Sequence, residues 1–269
     1  MSAAHAAAAP ETVFFPSRDG KTRLTSFLFT PDTAGPYPAV VMLHGRGGSY
    51  SSLKRGTYTA DTLTLRHKIW GSFWAQRGYL ALHVDSFGPR GYAEGFPGHS
   101  YSTRPPQVSE QLVRPLDAYG ALDYLRSRGD VVADRIGLQG WSNGGMTLLT
   151  VMGKAAPGMK LPAPAIGFRA ALALYPSCSA QLKEGNYLPY APLLLMVAAD
   201  DDEVSPQVCV RFADEVQARN GRIELVYYEG AHHSYDDPGE RKQSHAPNRA
   251  ATEDSKQRAE RFFREHLQR

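Results

Sequence analysis

Along almost the whole chain, short runs rich in valine, leucine and isoleucine alternate with longer amphipathic stretches. This alternation narrows the possible folds more than any other feature. A strand reads as a continuous apolar run when both of its faces are buried, which happens when parallel strands are joined by helices that cover both sides of a sheet. "RLTSFLFTP" (residues 23–31) reads as an early strand and "AVVMLHGRGG" (39–48) as a buried strand entering a glycine loop. "YLALHVD" (79–85), "RIGLQG" (135–140), "FRAALALYP" (168–176), "PLLLMVAADDDEV" (192–204) and "IELVYYEG" (223–230) read as further strands. Helices are expected at 68–78, stopped by Gly78, and at 109–128, with Leu112, Leu116, Tyr119 and Leu122 on one face. Others are expected over "GMTLLTVM" (145–152), over 206–219, and over 250–267 with Ala259, Phe262, Phe263 and Leu267 on the buried stripe. The expected fold class is therefore α/β, a mostly parallel central sheet of about eight strands with helices on both faces. No repeat, linker or second core interrupts the pattern, so residues 12–269 read as a single domain after a tail at 1–11. One stretch, "SFGPRGYAEGFPGHSYSTRPPQ" (86–107), is too long and too rich in Gly, Pro and aromatics to be a plain connector, and such loops are usually functional.

Composition closes off several functions. Thirty basic side chains stand against 27 acidic ones, scattered rather than clustered, so a net charge of +3 gives no footprint for nucleic acid. The longest apolar run, 191–199, contains a proline and is far shorter than the roughly 20 residues of a membrane span, so a soluble protein without a membrane partner is expected. The opening "MSAAHAAAAPE" lacks the basic and hydrophobic regions of an intact signal peptide. It reads instead as a disordered tail or the small-residue end of a processed leader.

Within "RIGLQGWSNGGMTLL" (135–149), Ser142 lies between Gly140 and Gly144, where an expected strand passes into an expected helix. A Gly-x-Ser-x-Gly match alone arises by accident in roughly one chain of this length in ten. The strand-turn-helix setting is what marks a nucleophile elbow, which pushes the hydroxyl out above the sheet. A serine hydroxyl is a poor nucleophile unless an imidazole takes its proton and a carboxylate orients that imidazole. An acid and a histidine are then required downstream, each past a strand end. The acids Asp200, Asp201 and Asp202 follow one strand and the imidazoles His232 and His233 follow another, in the right order. The spacing does not choose among them. Upstream, "LHGRGG" follows a strand where backbone N–H groups of Arg46 and Asn143 would together bind a developing oxyanion.

With these features in order, the chain resembles the dienelactone hydrolase family of α/β hydrolases from about Thr12 to the final helix. Beyond the elbow, the resemblance rests on "DSFGPRGY" (85–92), "RPLDAYGALDYL" (114–125), "YPSC" (175–178) and "YEGAHHSYD" (228–236). It implies the α/β-hydrolase fold and acyl-transfer chemistry, and it fixes the register. Family strands of the form Pro-Leu-Leu-Leu end in glycine, two residues and the acid, which puts Ala198 at the glycine and Asp201 at the acid. The family's Gly-Ala-x-His places the histidine at His233 and leaves His232 at the variable position. The best-known members use a cysteine nucleophile where this chain has Ser142, and they carry a glutamate after the oxyanion-loop histidine where this chain reads "HGRGG". Serine at this position favours ordinary ester hydrolysis. The expected activity is that of a serine carboxylic ester hydrolase acting on small to medium esters or lactones, with a small-molecule ester and water as partners and no cofactor. An acyl transferase or peptidase on the same triad, or a ligand-binding protein that keeps the fold, are the rival readings.

Arg90, Trp141, Tyr187 and Tyr190 are the substrate-binding candidates, along with the aromatics Tyr92, Phe96 and Tyr101 of the long loop. Bracing of its own loop is the plainer reading of Arg90. His232, His233, Asp236 and Asp237 have the chemistry of metal ligands, but adjacent histidines on an extended chain point opposite ways and no His-x-x-x-His completes a set, so no metal is expected. Cys178 and Cys209 follow adjacent strands. They read either as a disulfide, which would imply a periplasmic or secreted protein, or as two buried thiols in the cytoplasm. Monomer and homodimer both remain open.

Overall fold

The computed structural model describes residues 9–154 and 166–268. Of the expected tail, residues 1–8 lie outside these, and Glu11 already opens the first strand. One sheet of eight strands runs through the molecule in the order β1-β2-β4-β3-β5-β6-β7-β8. The strands are β1 (Glu11–Pro16), β2 (Arg23–Phe29), β3 (Tyr37–Leu43), β4 (Leu80–Asp85), β5 (Val131–Trp141), β6 (Ala170–Leu174), β7 (Leu193–Ala198) and β8 (Ile223–Tyr228). β1 and β2 add antiparallel at one edge and the others are parallel. The helices are α1 (Leu65–Ala75), α2 (Arg114–Arg126), α3 (Asn143–Met152), α4 (Ser179–Glu184), α5 (Pro206–Ala218), α6 (Glu240–Gln243) and α7 (Ala246–Leu267).

The continuous apolar runs have the cause assigned to them. In β3, Ala39, Val41 and Leu43 enter a core shared with α2, α3 and α5, while Val40 and Met42 enter a second core shared with α1 and α7. β7 divides the same way, Leu193, Leu195 and Val197 against Leu194, Met196 and Ala198. Each residue is buried because the sheet is covered on both faces, and the parallel connections carry every loop after β3, β5, β7 and β8 to one end of it. That end is where Ser142, Asp201 and His233 meet.

Helix α2, the sheet edge and the final helix depart from expectation. Helix α2 starts at Arg114, not at 109, because Ser109 takes the N–H groups of Val113 and Arg114 in a preceding turn. Leu112 is consequently 67% exposed, and the buried face of α2 is formed by Ala118, Tyr119, Leu122 and Leu125. Strand β1 leaves too short an apolar run in the sequence to stand out, since only Val13 and Phe15 of it are buried. The final helix begins at Ala246, four residues early, with Pro247 in its first turn, where the missing N–H costs nothing.

Cys178 and Cys209 form a disulfide that ties the start of α4 to α5 across 31 residues. In the chain-entropy account, a loop of that length stabilises the fold by about 4 kcal/mol. The Cys178→Ser/Cys209→Ser double variant is expected to lose about that much in a guanidinium denaturation, and an unchanged midpoint would contradict this assignment. No helix among the described residues is long and apolar enough to cross a membrane.

Candidate active site

β5 ends at Trp141 and α3 begins at Asn143, so Ser142 alone makes the turn, with φ 49° and ψ −115°. That backbone region is strained for an L-residue by about 1–3 kcal/mol and persists only where surroundings over-determine it. Here Ser142 N donates to Leu174 O at 2.9 Å and Ser142 O accepts from Met146 N at 2.9 Å. The flanking glycines are obligatory for space. A Cβ on Gly144 would lie 2.1 Å from Leu43 O, and one on Gly140 would lie 2.4 Å from Gly144 O. The turn therefore brings α3 against the end of β3, and the positive end of the α3 dipole stands behind the serine.

Three side chains from three loops then fall in line. Ser142 Oγ is 3.0 Å from His233 Nε2, and His233 Nδ1 is 2.8 Å from Asp201 Oδ2. Asp201 is nearly sealed from solvent, and its other oxygen accepts the N–H groups of Glu203 (2.8 Å) and Val204 (2.9 Å). These bonds fix the carboxylate with Oδ2 facing Nδ1, a geometry in which a proton on Nδ1 would leave Nε2 free to face the hydroxyl as a base. The neighbours sort themselves by exposure. Asp200 and Asp202 point into solvent. His232 stacks on His245 with ring centroids 4.4 Å apart and does not reach the serine.

Gly45 follows β3 directly beside the elbow, where a Cβ would come 3.5 Å from Ser142 Cβ. Among the described residues, neither the Arg46 N–H nor the Asn143 N–H is taken by a protein acceptor. Both belong to segments flanking Ser142, the arrangement an oxyanion site requires. The Arg46 side chain crosses to Glu203, with Nε donating to Oε2 at 2.8 Å and Nη2 bonding Oε1. Glu203 Oε2 also lies 3.7 Å from His233 Nε2, and the Arg46 bond holds the Glu203 carboxyl below its usual range.

Comparison with known proteins places the chain as a whole. The model of the dienelactone hydrolase family covers residues 24–267. The chain belongs to that family. It is 31% identical to "Putative hydrolase YtaP" of Bacillus subtilis (strain 168) over 136 residues, 48% of this chain and 43% of that one, so it spans less than half of that relative's length. Among solved structures it resembles Thermogutta terrifontis esterase 2 phosphorylated by paraoxon, with a TM-score of 0.67 and 18% identity over 98% of this chain and 97% of the other. The propionate-bound form of the same esterase superposes with a TM-score of 0.65 at 18% identity, over 98% and 97% of the two chains. Likeness at that identity shows a shared α/β-hydrolase fold.

In this dienelactone hydrolase family member the serine opens onto a cleft of about 950 Å³. Its walls are the 45–53 loop, the start of α1, residues 94–97 and the 233–239 loop, with Leu53 and Leu65 exposed at the rim. Phe96 lines it. Tyr92, Tyr101, Arg90, Trp141, Tyr187 and Tyr190 do not, and for the last four the reason is plain. Arg90 is only 7% exposed, held by Asp19, Asp117 and the Ser86 carbonyl, so it braces its own loop. Trp141 is fully buried and donates its indole N–H to Asp236 at 2.9 Å. Tyr187 donates to Leu149 O at 2.7 Å, and the Tyr190 hydroxyl accepts from Phe168 N at 3.0 Å, which fixes both in the core around α3.

Three residues to which the sequence pattern assigned no part in ester hydrolysis surround the site. Arg114 is buried behind the elbow, Glu203 faces His233, and Asp236 gathers the indole N–H groups of Trp70 and Trp141 (both 2.9 Å) and the Tyr175 hydroxyl. Beneath the 45–53 loop, His44, His67 and His83 are packed together, with the His67 and His83 rings stacked at 4.1 Å. Burial holds all three imidazoles well below the ordinary histidine range, His83 to about 3, with Arg114 adding to the effect on His44 and His83. A depressed folded pKa means that the neutral ring is the one that fits. The stabilisation is full above pH about 6.5 and is lost as pH falls from there toward the folded values. Asp85, whose carboxyl is raised by burial, offsets part of this at lower pH. Denaturation free energies at pH 7.5 and 5.0 are expected to fall steeply on acidification, and His83→Gln to flatten that slope. An identical slope in the variant would contradict the assignment.

Proposed function

We propose that this protein is a serine carboxylic ester hydrolase that works through an acyl-enzyme. The reading rests on the line from Asp201 through His233 to Ser142 at the floor of an open cleft. Ser142 Oγ attacks the ester carbonyl while His233 Nε2 takes its proton. Asp201 keeps the ring oriented and stabilises the imidazolium that forms. The Arg46 and Asn143 N–H groups receive the negative oxygen, and losing one such donor typically costs about 3–4 kcal/mol. His233 then returns its proton to the leaving alcohol, and a water activated by the same imidazole releases the acid. The cleft suits small to medium esters or lactones.

That an esterase of the same fold is trapped by paraoxon as a phosphorylated adduct supports the choice of organophosphorus probes. The acyl-enzyme itself has a sharper test. Phenyl and p-nitrophenyl esters of one acid, hydrolysed in water containing methanol, are expected to give the same ratio of methyl ester to free acid, because both pass through one intermediate. A ratio that changes with the leaving group would mean direct attack by water and would overturn the acyl-enzyme.

A further inference from the structure

Arg114 is the first residue of α2 and has no exposed surface, an unusual place for a guanidinium. A buried arginine is ordinarily neutralised by a carboxylate, since an unpaired buried charge is costly. Among the described residues, no carboxylate forms an ion pair with Arg114. Asp117 is already engaged by Arg90, and Glu110 Oε2 accepts from Asn143 Nδ2 at 3.1 Å. Arg114 spends its fork on neutral oxygens instead. Nη2 donates to His44 O at 2.8 Å, Nη1 donates to Asn143 Oδ1, and the Phe87 ring centroid lies 5.0 Å from the guanidinium carbon. Burial brings its pKa down to about 10, so it keeps its charge at neutral pH.

The two acceptors show what this placement does. His44 begins the turn that carries the Arg46 N–H, and Asn143 carries the other N–H suited to an oxyanion. The two lie on separate strand ends nearly 100 residues apart in sequence, and one rigid planar fork spans both. We propose that Arg114 is a positioning residue that presets the oxyanion site, fixing the spacing of its two donors and placing behind them a buried positive charge to which no carboxylate is bonded. Preorganised charge of this kind acts where negative charge develops, in the transition state rather than in the bound ester, so it bears on kcat and not on KM.

The inference rests on the serine-hydrolase reading, and the test separates the two. Wild type, Arg114→Lys, which keeps the charge without the fork, and Asn143→Ala, which keeps the backbone N–H without its anchor, are titrated with a fluorophosphonate to count competent sites. Hydrolysis is then expressed per competent site. Both variants are expected to lose 10- to 100-fold in kcat with KM within about threefold, and to bind a boronate that mimics the tetrahedral adduct correspondingly more weakly, while affinity for the product acid is unchanged. A purely structural role would reduce the number of competent sites and leave kcat per site at the wild-type value; that result, in either variant, overturns the inference. If wild type itself neither takes the label nor hydrolyses esters, the serine-hydrolase reading fails and this inference falls with it.

Discussion

Replacing Ser142 by alanine is expected to lower ester hydrolysis by about 10⁵–10⁶-fold while leaving the melting temperature nearly unchanged. The magnitude follows from the proposed mechanism, in which the three groups act as a unit, since removing the nucleophile from such a triad costs about as much as removing all three. The stability expectation follows from the elbow. Alanine accepts the same strained φ of 49° and gives up a single hydrogen bond to His233. Ser142→Gly goes further, because glycine occupies positive φ without penalty. It should be as inactive as Ser142→Ala and more stable than wild type, the signature of a residue kept for chemistry at a cost to the fold. Asp201→Asn should cost about 10⁴-fold, by presenting an N–H where His233 Nδ1 needs an acceptor. Steady-state kinetics with calorimetric melting of the four proteins checks this. Activity surviving in Ser142→Ala would mean that the elbow is only a turn.

A large loss of stability is expected at Asp236, which stands outside the line from Asp201 through His233 to Ser142. Its two carboxylate oxygens accept from both Trp70 and Trp141 at 2.9 Å and from Tyr175, and Arg66 Nε lies 3.3 Å away. Asp236→Ala strands all these donors around a cavity, and removing one partner of a buried charged network costs about 3–5 kcal/mol. In a chain of this size that lowers the melting temperature by about 10 °C. Activity should fall as well. Asp236 is three residues beyond His233, and the Tyr175 ring it anchors meets the His233 ring edge-on at 4.9 Å. A variant that melted like wild type and kept its kcat would show that the 233–237 loop is held by other contacts, chiefly Lys242 Nζ on the His233 carbonyl at 2.7 Å.

The uneven legibility of the sequence has a physical cause. β3 and β7 could be read from their runs because burial on two faces leaves no polar position to blur them, whereas β1, an edge strand with two buried side chains, left a pattern too short to notice. Ser142 was legible because an elbow is local: a strand, two small residues and a helix, all within fifteen positions. The choice between Asp200 and Asp201, or His232 and His233, came from family register and not from physics. What stayed hidden depends on distant partners. Arg46 meets Glu203 across 157 positions and Trp70 meets Asp236 across 166, and no periodicity in the chain announces such meetings. For Arg90 the plainer reading, a brace for its own loop, is the one the fold supports over substrate binding, and one of its partners, Asp19, lies 71 positions away. Arg114 stood inside a quoted family segment, but only the fold reveals that its fork reaches His44 and Asn143.

The central claim, that Ser142 is an activated nucleophile served by His233 and Asp201, is tested most directly by intact mass and peptide mapping after a serine-directed fluorophosphonate. Wild type is expected to gain one phosphonyl group, mapped to Ser142, with loss of hydrolysis in proportion to labelling. Ser142→Ala should gain none. An unlabelled wild type, or a label on any residue other than Ser142, would contradict the account.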